Sequence, residues 1–294
     1  MNPAFEIPLW PAAAPGSAAL TFDELIEERS PDTSAFFDRA ITRISRPRLA
    51  VFRPERPNGA AILLVPGGGY QRVVWDKEGV DVARWLTGLG VTVCVLVYRL
   101  PAEGHEEGRN VPLQDAQRAM RLVRQHTAEW DVDVARVGAM GFSAGGHVVS
   151  SLATGFDRAV YAPVDAADGL SARPDFVVLG YPVISMDAVI AHAGSRQNLL
   201  GAEPDAALLK AHSSDECVDA ATPETFILLP DDDAAVPPEN SIRYYLALRK
   251  AGVKAELHVF RDGGHGFGIR LATGPVSAWT RLCENWLRQN RWLP

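Results

Sequence analysis

Residues 137–147 read Val-Gly-Ala-Met-Gly-Phe-Ser-Ala-Gly-Gly-His. An apolar run ends in glycines that crowd one serine, Ser143, and an apolar stretch, Val148-Val149-Ser150-Ser151-Leu152, follows. Glycine weakens strands and helices alike, so the cluster needs a steric reason. Gly141-Phe142-Ser143-Ala144-Gly145 fits the pattern G-x-S-x-G between a strand and a helix, which is the context that pattern requires. A sharp strand-to-helix turn leaves little room for side chains at its flanks. It lifts Ser143 above the sheet edge and places the next N–H at a helix N-terminus. A plain tight turn would carry the same glycines, so the rest of the chain has to decide.

Apolar runs recur along the chain, at residues 61–65, 91–98, 136–141, 176–179 and 225–229, and 256–260 reads as a further strand. Between them lie helical patterns. Val82, Trp85, Leu86 and Leu89 share one face, and so do Ala116, Met120 and Val123. Ile242, Tyr245 and Leu246 mark another helix, which Gly252 is placed to end. Val276, Trp279, Cys283 and Trp286 mark the last one. Fully apolar strands alternating with amphipathic helices predict an α/β fold, a central mostly parallel sheet with helices on both faces. Residues 1–35 read as an irregular arm rich in Pro, Ala and Ser, and 39–54 as an N-terminal antiparallel strand pair. With no repeat and no linker in view, residues 1–294 form a single domain. Residues 185–220 break the alternation and are expected to form a cap over one sheet edge.

Sites in such sheets form at the carboxyl ends of strands. Four loops there carry reactive residues. Pro66-Gly67-Gly68-Gly69-Tyr70 follows the first apolar run, and its glycines can point N–H groups at an anion developing on a carbonyl oxygen. It lacks the G-x-G-x-x-G spacing of a dinucleotide site. The stretch around Ser143 is the second loop. Asp231-Asp232-Asp233 is the third; an acidic turn in water would look the same, yet a carboxylate here can orient a histidine. Asp262-Gly263-Gly264-His265-Gly266-Phe267-Gly268 is the fourth, and a histidine among glycines at a strand end is not a packed core residue. The chain order is Ser, Asp, His, the order of α/β-hydrolases. His147, one helical turn after Ser143, could line a site but fits local packing or capping as well. His192 and His212 fall in the cap segment and the other histidines lack supporting context.

Composition limits the alternatives. The 294 residues carry a net charge of −7 without a block of Lys and Arg, which excludes nucleic acid and anionic membrane as partners. The apolar runs are too short to span a bilayer, and the first residues lack a signal-peptide pattern, so a cytoplasmic location is expected. Cys94, Cys217 and Cys283 are odd in number and widely spaced. They fit neither a disulfide framework nor a zinc site, and no His, Asp and Glu set has metal-ligand spacing. Neither metal nor organic cofactor is expected, and the sequence permits a homo-oligomer.

Segments along nearly the whole chain resemble bacterial α/β-hydrolases of the acetyl-esterase family, called acetylxylan esterase-like or esterase/lipase. They run from "IPLWPAAAPG" through "PGGGYQRV", Glu78-Gly79, "VYRLP", "DAQRAMRLVR" and "GFSAGGH" to "GYPVIS", "GSRQNLLG", "VPPENS" and "HVFRDGGHGFG". Pro66 stands where related lipases carry His. The resemblance implies the α/β-hydrolase fold, Ser143 as nucleophile and His265 as general base. It implies Asp233 as the acid, four residues before the Pro of the pair Val236-Pro237, with Asp232 as the alternative. It implies an oxyanion hole formed by Gly68, Gly69 and Ala144. The expected substrate is a small ester or acetylated oligosaccharide, with acetyl removed from a sugar or xylo-oligosaccharide. Tyr70 and Trp75 could stack on the sugar or pack under the cap. A general short-chain carboxylesterase, a feruloyl-type esterase and a non-catalytic binding relative are the rival readings.

Overall fold

The computed structural model describes residues 1–294. Its main sheet is built on the apolar runs: β5 (Ala61–Val65), β7 (Thr92–Val97), β8 (Val137–Phe142), β9 (Phe176–Gly180), β10 (Glu224–Pro230) and β11 (Ala255–Phe260). Flanking them in the same sheet are β1 (Phe5–Pro8) and β4 (Arg48–Phe52), and the spatial order is β1-β4-β7-β5-β8-β9-β10-β11. The six strands from β7 to β11 run parallel, whereas β1 and β4 pair antiparallel. Every residue of β5, β7, β8 and β9 is buried, as expected of parallel strands covered on both faces.

The helices are α1 (Asp81–Gly88), α2 (Val111–Gln125), α3 (Ser143–Gly155), α4 (Ala193–Leu200), α5 (Ala206–Ala211), α6 (Glu239–Lys250) and α7 (Trp279–Gln289). Successive residues of a strand face opposite sides. A side chain at Gly141 would meet Val149 of α3, while the ring of the next residue, Phe142, packs 5.8 Å from Trp279 of α7. So α3 and α7 cover opposite faces. Trp85 of α1 meets Trp279 edge-on at 5.0 Å, which places α1 with α7. One continuous cluster of 72 buried apolar residues fills both layers.

Two N-terminal expectations need correction. The segment 39–54 does hold two strands, β3 (Arg39–Thr42) and β4, but they do not pair with each other. β3 joins β2 (Leu25–Glu28) and β6 (Val73–Val74) in a small antiparallel sheet, and β4 joins the main sheet. Nor is 1–35 irregular throughout: it supplies β1 and β2, and Trp10 donates to Asp115 of α2 at 3.0 Å. Between β9 and β10 the chain forms α4 and α5. No helix is long and apolar enough to cross a membrane.

Register puts the four loops on one edge. Val65 lies beside Gly141, so the glycine loop leaves the sheet next to Ser143. Pro230 lies beside Phe260, which brings the Asp run next to the His265 loop.

Candidate active site

The turn that opens α3 is as tight as its glycines suggest. A Cβ on Gly145 would stand 2.2 Å from the Val65 carbonyl oxygen and 2.5 Å from that of Pro66. One on Gly141 would stand 2.4 Å from the Gly145 carbonyl oxygen. Ser143 itself has a φ of 53°, a strained value for a non-glycine residue that fixes the direction of its side chain.

Three of the singled-out residues form one hydrogen-bonded line. Ser143 Oγ lies 2.8 Å from His265 Nε2, and His265 Nδ1 lies 2.7 Å from Asp233 Oδ2. The Asp233 side chain is buried to 2% exposure, and its Oδ1 accepts from the N–H groups of Ala235 and Val236, both at 2.9 Å. With both oxygens held, the carboxylate cannot rotate away from the imidazole. Asp232 points elsewhere and accepts from Gly264 N–H at 2.8 Å. Asp231 is exposed.

The glycine loop faces the serine, and its three amides are not equivalent. Gly67 N–H donates to Glu78 Oε2 at 2.7 Å. The amides of Gly68 and Gly69 donate to no protein acceptor, and both residues have positive φ, 132° and 66°. Ala144 is the second residue of α3, in the first turn, where amides lack helical acceptors. Gly68 and Gly69 thus carry free amides in the loop that leaves the sheet beside Ser143, and Ala144 lies in the first turn of α3.

Two buried residues that the sequence did not single out for the site hold these loops together. Glu78 lies in a π-helical turn, Asp76–Val80, that runs directly into α1. Its Oε1 accepts from the Tyr181 hydroxyl at 3.0 Å, and that hydroxyl oxygen accepts from Gly268 N–H at 3.0 Å. The Tyr181 ring packs edge-on against His265 at 5.1 Å and against Phe267 at 4.7 Å. Burial, reinforced by the Glu78 charge, pushes the Tyr181 phenol well above its ordinary pKa, so it stays a donor. Both residues were visible in the sequence, inside "DKEG" and "GYPVIS", but nothing in their spacing shows that they meet.

The expected stacking role of Tyr70 and Trp75 does not fit. Tyr70 is 2% exposed and Trp75 8%, so neither offers a ring face to a sugar. Tyr70 instead packs edge-on against Tyr98 and donates its hydroxyl to His147 Nδ1 at 2.6 Å. His147 Nε2–H donates in turn to the His212 carbonyl at 2.7 Å. Burial pushes the His147 imidazole down to about 4, so this histidine is a neutral link between the glycine loop, α3 and the segment after α5. Trp75 packs in the core beside Phe52.

The chain is similar to proteins that share this arrangement of strands and loops. The BD-FAE family matches residues 49–248. An acetylxylan esterase of Xylanibacter ruminicola is 37% identical over 241 residues, 81% of this chain and 47% of that protein. An endo-1,4-beta-xylanase B of Butyrivibrio fibrisolvens is 36% identical over 208 residues, 71% of this chain and 32% of that protein. The chain therefore spans half or less of the length of these curated relatives. The crystal structure of an acetyl ester-xyloside bifunctional hydrolase from Caldicellulosiruptor lactoaceticus superposes with a TM-score of 0.79 at 35% identity, covering 100% of this chain and 99% of that one. With 200 of its 294 residues matched (49–248), and with the strand order and loop positions described above, the chain belongs to the BD-FAE family and has the α/β-hydrolase fold.

Proposed function

We propose that this protein is a serine carboxylic-ester hydrolase that works through an acyl-enzyme and removes acetyl groups from sugars or xylo-oligosaccharides. The observation that carries the reading is the unbroken line Ser143–His265–Asp233, with the Gly68 and Gly69 amides left free in the adjoining loop and Ala144 in the first turn of α3. The names of the acetylxylan esterase and the acetyl ester-xyloside hydrolase support the choice of acetyl and of a xylan-type sugar.

Ser143 Oγ attacks the ester carbonyl as His265 Nε2 takes its proton. Asp233 holds hydrogen on Nδ1, which leaves Nε2 free to accept, and it stabilises the imidazolium that forms. Negative charge developing on the carbonyl oxygen meets the free amides of the glycine loop and of Ala144. One such preorganised donor contributes on the order of 3 kcal/mol to the transition state. His265 then passes the proton to the leaving alkoxide oxygen, and the acyl group stays on Ser143. Water, deprotonated by the same imidazole, releases acetate. Glu78 takes the Gly67 amide out of competition and so aims the loop through its next two amides.

Two measurements test this. Ser143→Ala abolishes hydrolysis of p-nitrophenyl acetate while the circular-dichroism spectrum stays native; near-native turnover in that variant refutes the mechanism. Wild-type enzyme releases acetate from acetylated xylo-oligosaccharides and prefers p-nitrophenyl acetate to the octanoate; the reverse preference refutes the acetyl assignment.

A further inference from the structure

One imidazole near the site has no place in this chemistry. His192 precedes α4 and caps it: its Nδ1 accepts from Ser195 N–H at 3.1 Å and lies 2.8 Å from Ser195 Oγ. A ring nitrogen that accepts from a backbone N–H carries no hydrogen, so in the neutral ring the hydrogen is on Nε2. Nε2 makes no hydrogen bond within the protein and is not among the buried unpaired atoms. It is a donor open to solvent.

Its position points to the substrate. His192 Cε1 lies 3.6 Å from where a Cβ on Gly69 would stand, so the ring lies against the glycine loop. Asn198 of α4 donates to the Gly69 carbonyl at 2.9 Å and fixes the segment there. The ring is also within electrostatic reach of the catalytic pair. Burial lowers its pKa first, the His265 charge lowers it further, and Asp233 opposes both. His192 is therefore a neutral donor beside a loop whose own amides address the carbonyl oxygen.

Both reacting oxygens already have partners. The carbonyl oxygen faces Gly68, Gly69 and Ala144, and the alkoxide oxygen receives its proton from His265. What remains for a third kind of donor is the part of the substrate that does not react. Resting on the sugar-ester reading above, we propose that His192 is a specificity residue whose Nε2–H donates to a hydroxyl of the sugar that carries the acetyl group. A site built to bond a hydroxyl discriminates against an ester that lacks one.

Asn at this position keeps the cap, because its side-chain oxygen can accept from Ser195 N–H, but its amide falls short of the place of Nε2. In H192N, kcat/KM for acetate release from acetylated xylo-oligosaccharides is expected to fall about tenfold, the range of one lost hydrogen bond, with p-nitrophenyl acetate changed by less than about twofold. H192Q returns a donor at the longer reach and is expected to restore the preference for the sugar ester. An equal fall on both substrates in H192N and H192Q overturns the proposal, because the ring then acts on the reacting ester or only on the fold. No change on either substrate overturns it too. Wild-type enzyme that hydrolyses p-nitrophenyl acetate but releases no acetate from the sugars refutes the sugar-ester reading itself, and the role of His192 with it. That failure appears before any variant is made.

Discussion

Replacing Asp233 by Asn removes one charge and almost no volume, yet the surrounding hydrogen bonds dictate a large effect. Asp233 Oδ1 is clamped by the amides of Ala235 and Val236, both at 2.9 Å, and Oδ2 faces His265 Nδ1 at 2.7 Å. An asparagine has one oxygen and one NH2 group. Turning the NH2 toward the two backbone amides sets donors against donors, so the oxygen stays there and the NH2 faces Nδ1. Nδ1 must then accept, and the ring hydrogen moves to Nε2, which points at Ser143 Oγ 2.8 Å away. An imidazole in that tautomer cannot take the serine proton. The wrong tautomer lowers kcat by about 10⁴ in a trypsin-type triad, which converts at about 1.36 kcal/mol per decade to about 5.4 kcal/mol. Asp232 makes one bond, to Gly264 N–H, and the oxygen of Asn can accept it equally well. Asp232→Asn is therefore expected to keep kcat within about threefold of wild type. Steady-state kcat on p-nitrophenyl acetate, read for both variants beside native spectra, decides the matter. Activity near wild type in Asp233→Asn, or collapse in Asp232→Asn alone, refutes the reasoning and transfers the acid to the neighbouring residue.

Gly145→Ala places a methyl group against the Val65 and Pro66 carbonyls, which are backbone and lead into the glycine loop. A loss of about 1–3 kcal/mol in urea unfolding is expected together with a fall in kcat, and an unchanged urea midpoint contradicts it. Acid sensitivity follows from His147, whose imidazole burial holds at about 4 against an ordinary value of 6.5. The unfolded chain binds this proton at the higher pH, so the stabilisation is complete above the ordinary value and is lost as pH falls toward the depressed one. The loss reaches about 3 kcal/mol. His147→Gln does not titrate there, so its unfolding free energy should fall less steeply than that of wild type between about pH 7 and pH 4.5; parallel curves contradict the assignment.

The sheet was legible because its central strands are buried on both faces and read as unbroken apolar runs. The N-terminal region was not, because its strands are short, β1 and β2 are exposed, and they pair with distant residues, such as Phe5 with Val51. Alternation in 39–54 announces strands but says nothing of their partners. In α6 the apolar residues that mark the helix, Ile242, Tyr245 and Leu246, are not the ones it buries most deeply. Tyr244 and Leu248 are buried instead, while Ile242 is 37% and Leu246 55% exposed. Helical spacing serves both choices. The selection comes from Asn240, buried in the same helix, whose side chain accepts from Ile184 and Ser185 N–H and donates to the Ile190 carbonyl. The candidate residues at strand ends stood out together, because a plain turn explains one glycine cluster but not glycines, an Asp run and a His in Ser, Asp, His order after separate strands. Glu78 did not, because a carboxylate in an amphipathic helical pattern reads as a solvated one.

In the mechanism proposed above, Glu78 also accounts for how loops from separate strands act on one carbonyl. The glycine loop follows β5, Ser143 follows β8 and His265 follows β11, so chance variation in any strand would misalign donors and base. One buried carboxylate spans them. Its Oε2 fixes the start of the glycine loop at Gly67, and its Oε1 fixes the Tyr181 hydroxyl, which holds Gly268 three residues beyond His265. The Tyr181 ring, next to Phe142 at 5.6 Å and His265 at 5.1 Å, then sets the spacing between the serine's strand and the imidazole. A charge so enclosed is costly unless each oxygen is bonded, and here each has one donor. The same bonds that make Glu78 tolerable in the interior therefore tie the glycine loop at Gly67 to the His265 loop at Gly268, a spacing that neither loop could set alone.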